Sequence, residues 1–138
     1  MGEAWRRDLE GDGTAEEVIA RRLAKSDALL GSAPTLIVPF VRFRGSHRYP
    51  DAERAHAEQE MFLLSAGAAI QNLLLALHAQ RVASCWISST LFCQQETREA
   101  LGIDDEWLAL GTVAAGPMPE GAASPRPPLD LSEFLRIL

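Results

Sequence analysis

The longest apolar stretch of the chain lies in its middle. From Asp51 to about Gln80 the residues predict one continuous helix, charged in its first two turns and apolar nearly all round from Met61 to Leu77. A helix without a polar face has to be covered on every side. Because a chain of 138 residues offers little material for that, we expect a second subunit to cover this helix.

Shorter elements flank this helix on both sides. A capping box formed by Thr14 and Glu17 predicts the start of a helix that ends near Gly31. The hydrophobic pattern also predicts short helices over 3–9 and 94–101, and buried strands over 35–43, 82–89 and 108–115. The chain then becomes rich in proline, which predicts an extended arm over 117–138.

Composition excludes several classes of function. The net charge of −6 argues against a broad nucleic-acid or anionic membrane surface, because both need basic patches. Cys85 and Cys93 form no CxxC pair and the three histidines are scattered, so no metal site is predicted. The apolar run is shorter than the ~20 residues of a membrane span, and the N-terminus has no secretory h-region. We therefore expect a cytoplasmic protein without membrane or nucleic-acid partners.

Side-chain catalytic motifs are missing from the sequence. No segment supports a Ser-His-Asp or Cys-His arrangement, and the GxGxxG and GxxxxGK[ST] phosphate loops do not occur. The Gly-Asp-Gly turn at 11–13 lies between two predicted helices, whereas a Rossmann turn follows a strand. If the protein is an enzyme, a bound cofactor therefore has to supply the difficult chemistry.

Two neighbouring segments resemble the nitroreductase family. They are GAAIQNLLLAL (67–77), within the long helix, and SCWISST (84–90), in the strand that follows. The segments 8–13, 33–40, 45–54, 60–77, 84–92 and 104–117 further resemble the C-terminal reductase domain of the FbiB enzymes of coenzyme F-420 biosynthesis. The resemblance covers most of the chain, and nothing in it is similar to the γ-glutamyl ligase domain of those enzymes.

The resemblance implies a fold, an assembly and an activity. The fold is α+β, a nitroreductase-like mixed sheet around a long central helix. The assembly is an intertwined homodimer, with FMN at the interface and each C-terminal arm crossing to its partner. The activity is that of an FMN-dependent oxidoreductase that reduces a dehydro precursor of coenzyme F-420, or another conjugated substrate, by hydride transfer from reduced FMN.

The chain resembles family members only from a point beyond their N-terminal segments. Its members open with an Arg-Ser-x-Arg segment that grips the flavin phosphate, followed by a helix, a proline-rich loop and the first strand, and none of these precedes Met1. We therefore expect residues 1–138 to form a single nitroreductase-like domain without its N-terminal part. Two alternatives to catalysis stay open: a non-catalytic module that binds flavin or coenzyme F-420, and a truncated remnant that only dimerises.

The resemblance also suggests four binding residues, and no catalytic side chain. Ser88 and Ser89 correspond to the loop that meets the flavin ring, Arg126 to a basic residue on the FMN phosphate, and Asp12 to an acidic position that holds the deazaflavin substrate. Each also has a plain structural interpretation. The serines fit a strand end, Arg126 an exposed arm, and Asp12 a turn.

Other polar and aromatic residues of the central segments are assigned to structure. Gln71 and Asn72 lie in the apolar helix and have to find hydrogen-bond partners, for which an interface is the favoured place. We expect Trp86 and Phe92 to pack in the core rather than to form a platform for the flavin. The two cysteines are expected to be packing residues.

Overall fold

The computed structural model describes residues 2–121, 128, 130, 132, 134 and 135. Its helices are α1 (Gly2–Gly11), α2 (Glu16–Ser32), α3 (Ala52–Ala79), α4 (Ser89–Phe92) and α5 (Gln94–Leu101). Its strands are β1 (Thr35–Ile37), β2 (Phe40–Val41), β3 (Val82–Ile87), β4 (Leu108–Ala109) and β5 (Thr112–Pro117). Most of the predicted arm over 117–138 lies outside the described residues.

The strands form two small sheets. One has the order β1-β5-β3 and the other pairs β2 with β4. In the first, Leu36 and Cys85 both pair with Ala114 of the central strand. Every pairing among the described residues is antiparallel, which differs from the mixed sheet that the resemblance implied. The reason is the order of the strands: β5 comes last in the chain, lies between β1 and β3, and runs against both.

The central helix α3 has the predicted length and position. It begins after Asp51, whose carboxylate accepts hydrogen bonds from the backbone N–H of Arg54 at 2.8 Å and from its Nε at 2.6 Å. These two bonds, the backbone one first, lower the pKa of Asp51. After Gln80 the backbone of Arg81 turns left-handed, with φ at 60°, and leads directly into β3. The sheet therefore follows α3 without a loop.

The core lies between one side of α3 and the sheets. Ile70 is the one buried residue of α3, at 3% exposure, and it packs in a cluster with Val41, Leu110 and Val113. Half-buried side chains of the same helix complete this inner face: Phe62, Ala66, Leu73, Leu74 and Leu77. The opposite side of α3 has no cover from the described part of the chain.

Length and composition alone would allow α3 to cross a membrane. An 18-residue window of this 28-residue helix has a mean hydropathy of 1.5, and 6% of the window is buried. The apolar run from Met61 to Leu77 alone is too short to span a membrane, but it lies within a continuous helix of 28 residues. Length therefore no longer excludes a membrane span. The core helices of soluble proteins meet the same criteria of length and hydropathy. Either lipid or protein could therefore cover the exposed side of α3.

The start of α2 differs from the prediction. The helix begins at Glu16, Ala15 is its N-cap residue, and no side chain caps it. The capping box of Thr14 and Glu17 does not form, because the helix starts one residue later, with Ala15 and not Thr14 in the N-cap position. Glu16 pairs with the guanidinium of Arg6, which lies 2.8 Å from both of its carboxylate oxygens. Thr14 instead donates its backbone N–H to the carbonyl of Leu9 at 2.9 Å.

Two predicted strands are interrupted. The strand predicted over 35–43 breaks before Phe40, since Pro39 has no N–H to give to a ladder and its carbonyl accepts the N–H of Leu110 at 2.9 Å. The strand predicted over 108–115 breaks at Leu110 and Gly111. The loop predicted after β3 is instead the helical turn α4.

The break at Gly111 is fixed by the indole of Trp86. Gly111 has φ of 96°, and a Cβ there would meet Trp86 Nε1 and lie 2.6 Å from the carbonyl oxygen of Ile87. The indole N–H donates to the carbonyl of Leu110 at 2.7 Å. Only glycine permits both this backbone angle and this close approach.

We expect Gly111→Ala to lower the free energy of unfolding by about 2 kcal/mol or more, because the added methyl meets both backbone strain and the indole. Gly31→Ala is the matched control: its Cβ enters open space near the end of α2, and a gain of up to about 1 kcal/mol is expected. Urea unfolding of both variants measures the difference. Equal stability would contradict this account of the turn.

Candidate functional site

An apolar hollow of about 240 Å³ opens between α3, β3 and α4. Its lining residues are Leu63, Gly67, Ile70, Trp86, Leu91 and Leu110. Gly67 has no side chain, so α3 leaves space at this point. The hydrogen bond from the indole of Trp86 to Leu110 fixes one wall, although Trp86 is 49% exposed. A flat apolar ring is the kind of ligand that such walls accept.

Ser88 and Ser89 lie between two lining residues, Trp86 and Leu91, in the chain. Ser88 is exposed, and its carbonyl accepts the N–H of Leu91 at 2.9 Å. The Oγ of Ser89 is buried and has no hydrogen-bond partner among the described residues. Buried hydroxyl groups nearly always have a partner, so this hydroxyl has an unused capacity for one hydrogen bond from a group outside the described residues.

Buried polar contacts hold α4 in place. The hydroxyls of Thr90 and Thr112, each 2% exposed, lie 3.3 Å apart. The amide of Gln94 donates to the carbonyls of Leu91 and Ala109 at 2.9 and 2.8 Å and accepts the N–H of Ala109 at 2.8 Å. Sequence reasoning missed Gln94, because a glutamine in the first turn of a short helix looks solvated.

The structure does not bring the other predicted site residues to this hollow. Asp12 is exposed in its turn, donates its backbone N–H to the carbonyl of Asp8 at 2.9 Å, and does not line the hollow. Arg126 lies outside the described residues. Of the four positions, Ser88 and Ser89 are the two that lie between lining residues of the hollow in the sequence, and neither of them lines it.

The expectation that the aromatic residues are in the core was wrong. Trp86 and Phe92 are both exposed, because β3 is an edge strand and α4 follows it on the open side. Cys85 is exposed on the same strand, whereas Cys93 is buried at 4%. Burial, with a smaller contribution from the charge of Glu96, raises the pKa of the Cys93 thiol, which suits a packing residue.

The outer face of α3 consists of Met61, Leu64, Ala68, Gln71 and Leu75. These residues alternate in steps of three and four, so they form one stripe along the helix, and all five are exposed. Leu64 is 69% exposed. Gln71 and its neighbour Asn72, which the sequence placed in a buried helix, are exposed too. Within one chain, solvent can therefore satisfy their amides.

A family model supplies the comparison that decides the fold family. The model described as the nitroreductase family matches residues 2–116, well over half of the chain. The chain belongs to the nitroreductase family. The nitroreductase-like α+β fold implied by the sequence is thereby confirmed, apart from the sheet described above.

A solved nitroreductase has a similar fold. It is a mutant of the FMN and NADPH-dependent nitroreductase NfnB from Sphigopyxis sp. strain HMH, 21% identical to this chain, with a TM-score of 0.54. The match covers 94% of this chain and 53% of the other, so this chain spans about half the length of that nitroreductase. At this identity the likeness supports the fold alone.

We expect Ser89→Ala to leave the cofactor-free protein equally stable, or to stabilise it by up to about 1 kcal/mol, because the change removes a buried hydroxyl without a partner. Thr112→Val is the contrast: it leaves the buried Thr90 hydroxyl without its neighbour and should cost about 1–3 kcal/mol. Urea unfolding in the absence of flavin measures both. A loss at Ser89 as large as that at Thr112 would show that its hydroxyl is already bonded.

Proposed function

We propose that this chain is an FMN-dependent oxidoreductase of the nitroreductase family. The single observation that carries the proposal is the apolar hollow lined by Trp86 and Leu91, with the buried Oγ of Ser89, which has no partner among the described residues, between these two positions in the sequence. An isoalloxazine ring needs such a combination, because its faces are apolar and its edge carries hydrogen-bonding groups. Bound FMN would supply the hydride chemistry.

The chain's own residues would bind and orient the ring. Trp86, Leu91 and Leu110 provide apolar contact and exclude water from one face. Ser88 and Ser89 provide hydroxyl and backbone N–H groups at the edge, where such donors stabilise negative charge on a reduced ring. Arg126 remains our proposal for the phosphate, since a guanidinium binds phosphate through two hydrogen bonds.

The size of the hollow supports a site shared between two copies. Its volume of about 240 Å³ lies below the ~300–1,000 Å³ of ligand pockets that enclose a whole small molecule. The outer face of α3 offers an apolar stripe with a polar Gln71 in its middle. We propose that a second copy packs on this stripe, forming an intertwined homodimer whose C-terminal arms (117–138) cross over, and that its surface closes the hollow.

The substrate belongs to the same proposal. A dehydro precursor of coenzyme F-420, or another conjugated small molecule, would stack against the flavin, and Asp12 would contact it. The similar solved enzyme is NADPH-dependent, and we propose a nicotinamide dinucleotide as the electron donor here too. A cytoplasmic location without nucleic-acid or membrane partners also stays part of the proposal, in line with the net charge of −6.

Purified protein should take up FMN and turn yellow, and Ser89→Ala should weaken FMN binding roughly five- to tenfold, the value of one hydrogen bond. Ser26→Ala, on α2, is the matched control and should bind FMN like the parent. Fluorescence titration of FMN measures the affinities. A colourless protein that takes up no added FMN contradicts the proposal.

Turnover separates catalysis from binding. The FMN-loaded protein is mixed with a nicotinamide dinucleotide and a dehydro precursor of coenzyme F-420, and flavin oxidation is followed spectroscopically. Reduction of the precursor supports the biosynthetic role. Flavin binding without turnover on this or any nitroaromatic substrate would instead identify a binding module.

Leu64→Glu should raise the dimer dissociation constant at least about 100-fold, because symmetry places two new charges in the same interface. FMN affinity should fall with it. Leu101→Glu is the control, since Leu101 is also exposed but lies at the end of α5, away from the outer face of α3. Analytical ultracentrifugation gives the dissociation constants. A wild-type monomer that still binds FMN would overturn the shared site, and insertion into vesicles would favour lipid as the cover of α3.

A further inference from the structure

Positive charge is concentrated in one short segment of this acidic chain. Residues 42–54 carry four of its 13 lysines and arginines, namely Arg42, Arg44, Arg48 and Arg54, against the two acids Asp51 and Glu53. The segment includes the loop between β2 and α3. In a chain of net charge −6, such a segment is where an anionic ligand would be attracted.

Two of these arginines are engaged within the chain. Arg42 lies 3.3 Å from the carboxylate of Glu106 and stacks over the ring of Trp107. Arg54 binds Asp51 at 2.6 Å, and its guanidinium lies 5.4 Å from the centre of the Tyr49 ring.

The other two are available for a ligand. Arg44 and Arg48 are exposed, and among the described residues neither makes an ion pair or a hydrogen bond. Two guanidinium groups four positions apart on one loop therefore have their hydrogen-bond donors unused by the described residues.

The loop that carries them is held from within. Gly45 turns the chain with φ of 86°, and Ser46 donates both its Oγ and its N–H to the carbonyl of Phe43, at 2.8 and 3.3 Å. The N–H of His47 then donates to the carboxylate of Glu58 on α3 at 3.1 Å. A loop fixed in this way loses little further entropy when it binds a ligand.

A second hollow, of about 170 Å³, lies directly beside this loop. It is lined by Tyr49, Arg54, Ala57, Glu58 and Met61. The carboxylate of Glu58 repels a phosphate from this hollow, whereas the ring of Tyr49 and the side chain of Met61 provide apolar contact. An aromatic base suits the hollow, and a phosphate suits Arg44 and Arg48 on the loop that leads to Tyr49.

We propose that Arg44 and Arg48 bind the 2′-phosphate of a phosphorylated nicotinamide dinucleotide and so select the phosphorylated donor over the unphosphorylated one. A phosphomonoester carries nearly two negative charges at pH 7, which two free guanidinium groups match. A guanidinium group recognises a 2′-phosphate through paired hydrogen bonds, which a lysine cannot form in the same geometry. The inference rests on the proposed use of a nicotinamide dinucleotide as donor.

The test compares 2′,5′-ADP with 5′-AMP, which differ only in the 2′-phosphate, by calorimetric titration of the whole chain. The parent protein should bind 2′,5′-ADP at least tenfold more tightly, and the double variant Arg44→Gln/Arg48→Gln should lose that preference. Arg21→Gln/Arg22→Gln changes the net charge equally on the exposed face of α2 and should keep it. Urea unfolding of each variant confirms that it is folded.

Three outcomes would overturn the inference: the double variant keeps the preference, the control loses it equally, or the double variant loses FMN instead, which would assign the loop to the flavin phosphate. Failure of the proposed FMN-dependent function can be distinguished from failure of this inference. A protein that takes up no FMN but still prefers 2′,5′-ADP through Arg44 and Arg48 would retain this site while losing the reductase assignment.

Discussion

The central helix α3 presents more apolar surface than the described part of its own chain covers. The two small sheets cover one side, where Ile70 is buried, and leave Leu64 and the rest of the outer face in solvent. Exposed leucine and methionine side chains spaced along one helical stripe are costly for a folded chain unless something covers them. The other unusual features of the molecule, an exposed tryptophan and a shallow hollow, lie next to this uncovered helix.

The uncovered outer face of α3 and the open hollow at Trp86 have the same physical origin. The hollow has a floor on α3 and a wall at Trp86, whose indole is fixed by Leu110 although half of the side chain is exposed. A side chain that is fixed by a hydrogen bond but remains half exposed is suited to contact a ligand or a second protein chain. A ring that binds between two copies gains contact with both, so its binding energy also stabilises their association. In the proposed homodimer, cofactor and partner would thus be coupled through the same surface.

Local patterns predicted α3 and α5, whose ends are set by residues next to them, such as Gly102 with φ of 63° at the end of α5. They failed where distant residues compete. The backbone N–H of Thr14 bonds to Leu9 of the preceding helix and α2 starts one residue later than predicted, and the turn at Gly111 depends on an indole 25 positions earlier in the chain. Burial was the least predictable property: periodicity identified α3 as apolar, but not which side of it the chain covers. Of the site, resemblance pointed to Ser89, and only the structure showed its unpaired hydroxyl.

The basic loop and the outer face lie at the same side of α3. Ala57 and Met61, which line the second hollow, precede Leu64 and Ala68 by steps of three and four, so all four share one helical stripe. A base held in the second hollow would therefore touch, at Met61, the face on which we propose that a second copy packs. In such a homodimer that face would border the cleft between the copies, where a ring bound by one chain would meet a dinucleotide bound by the other. The proposed shared sites would account for the two shallow hollows that one chain alone displays among its described residues.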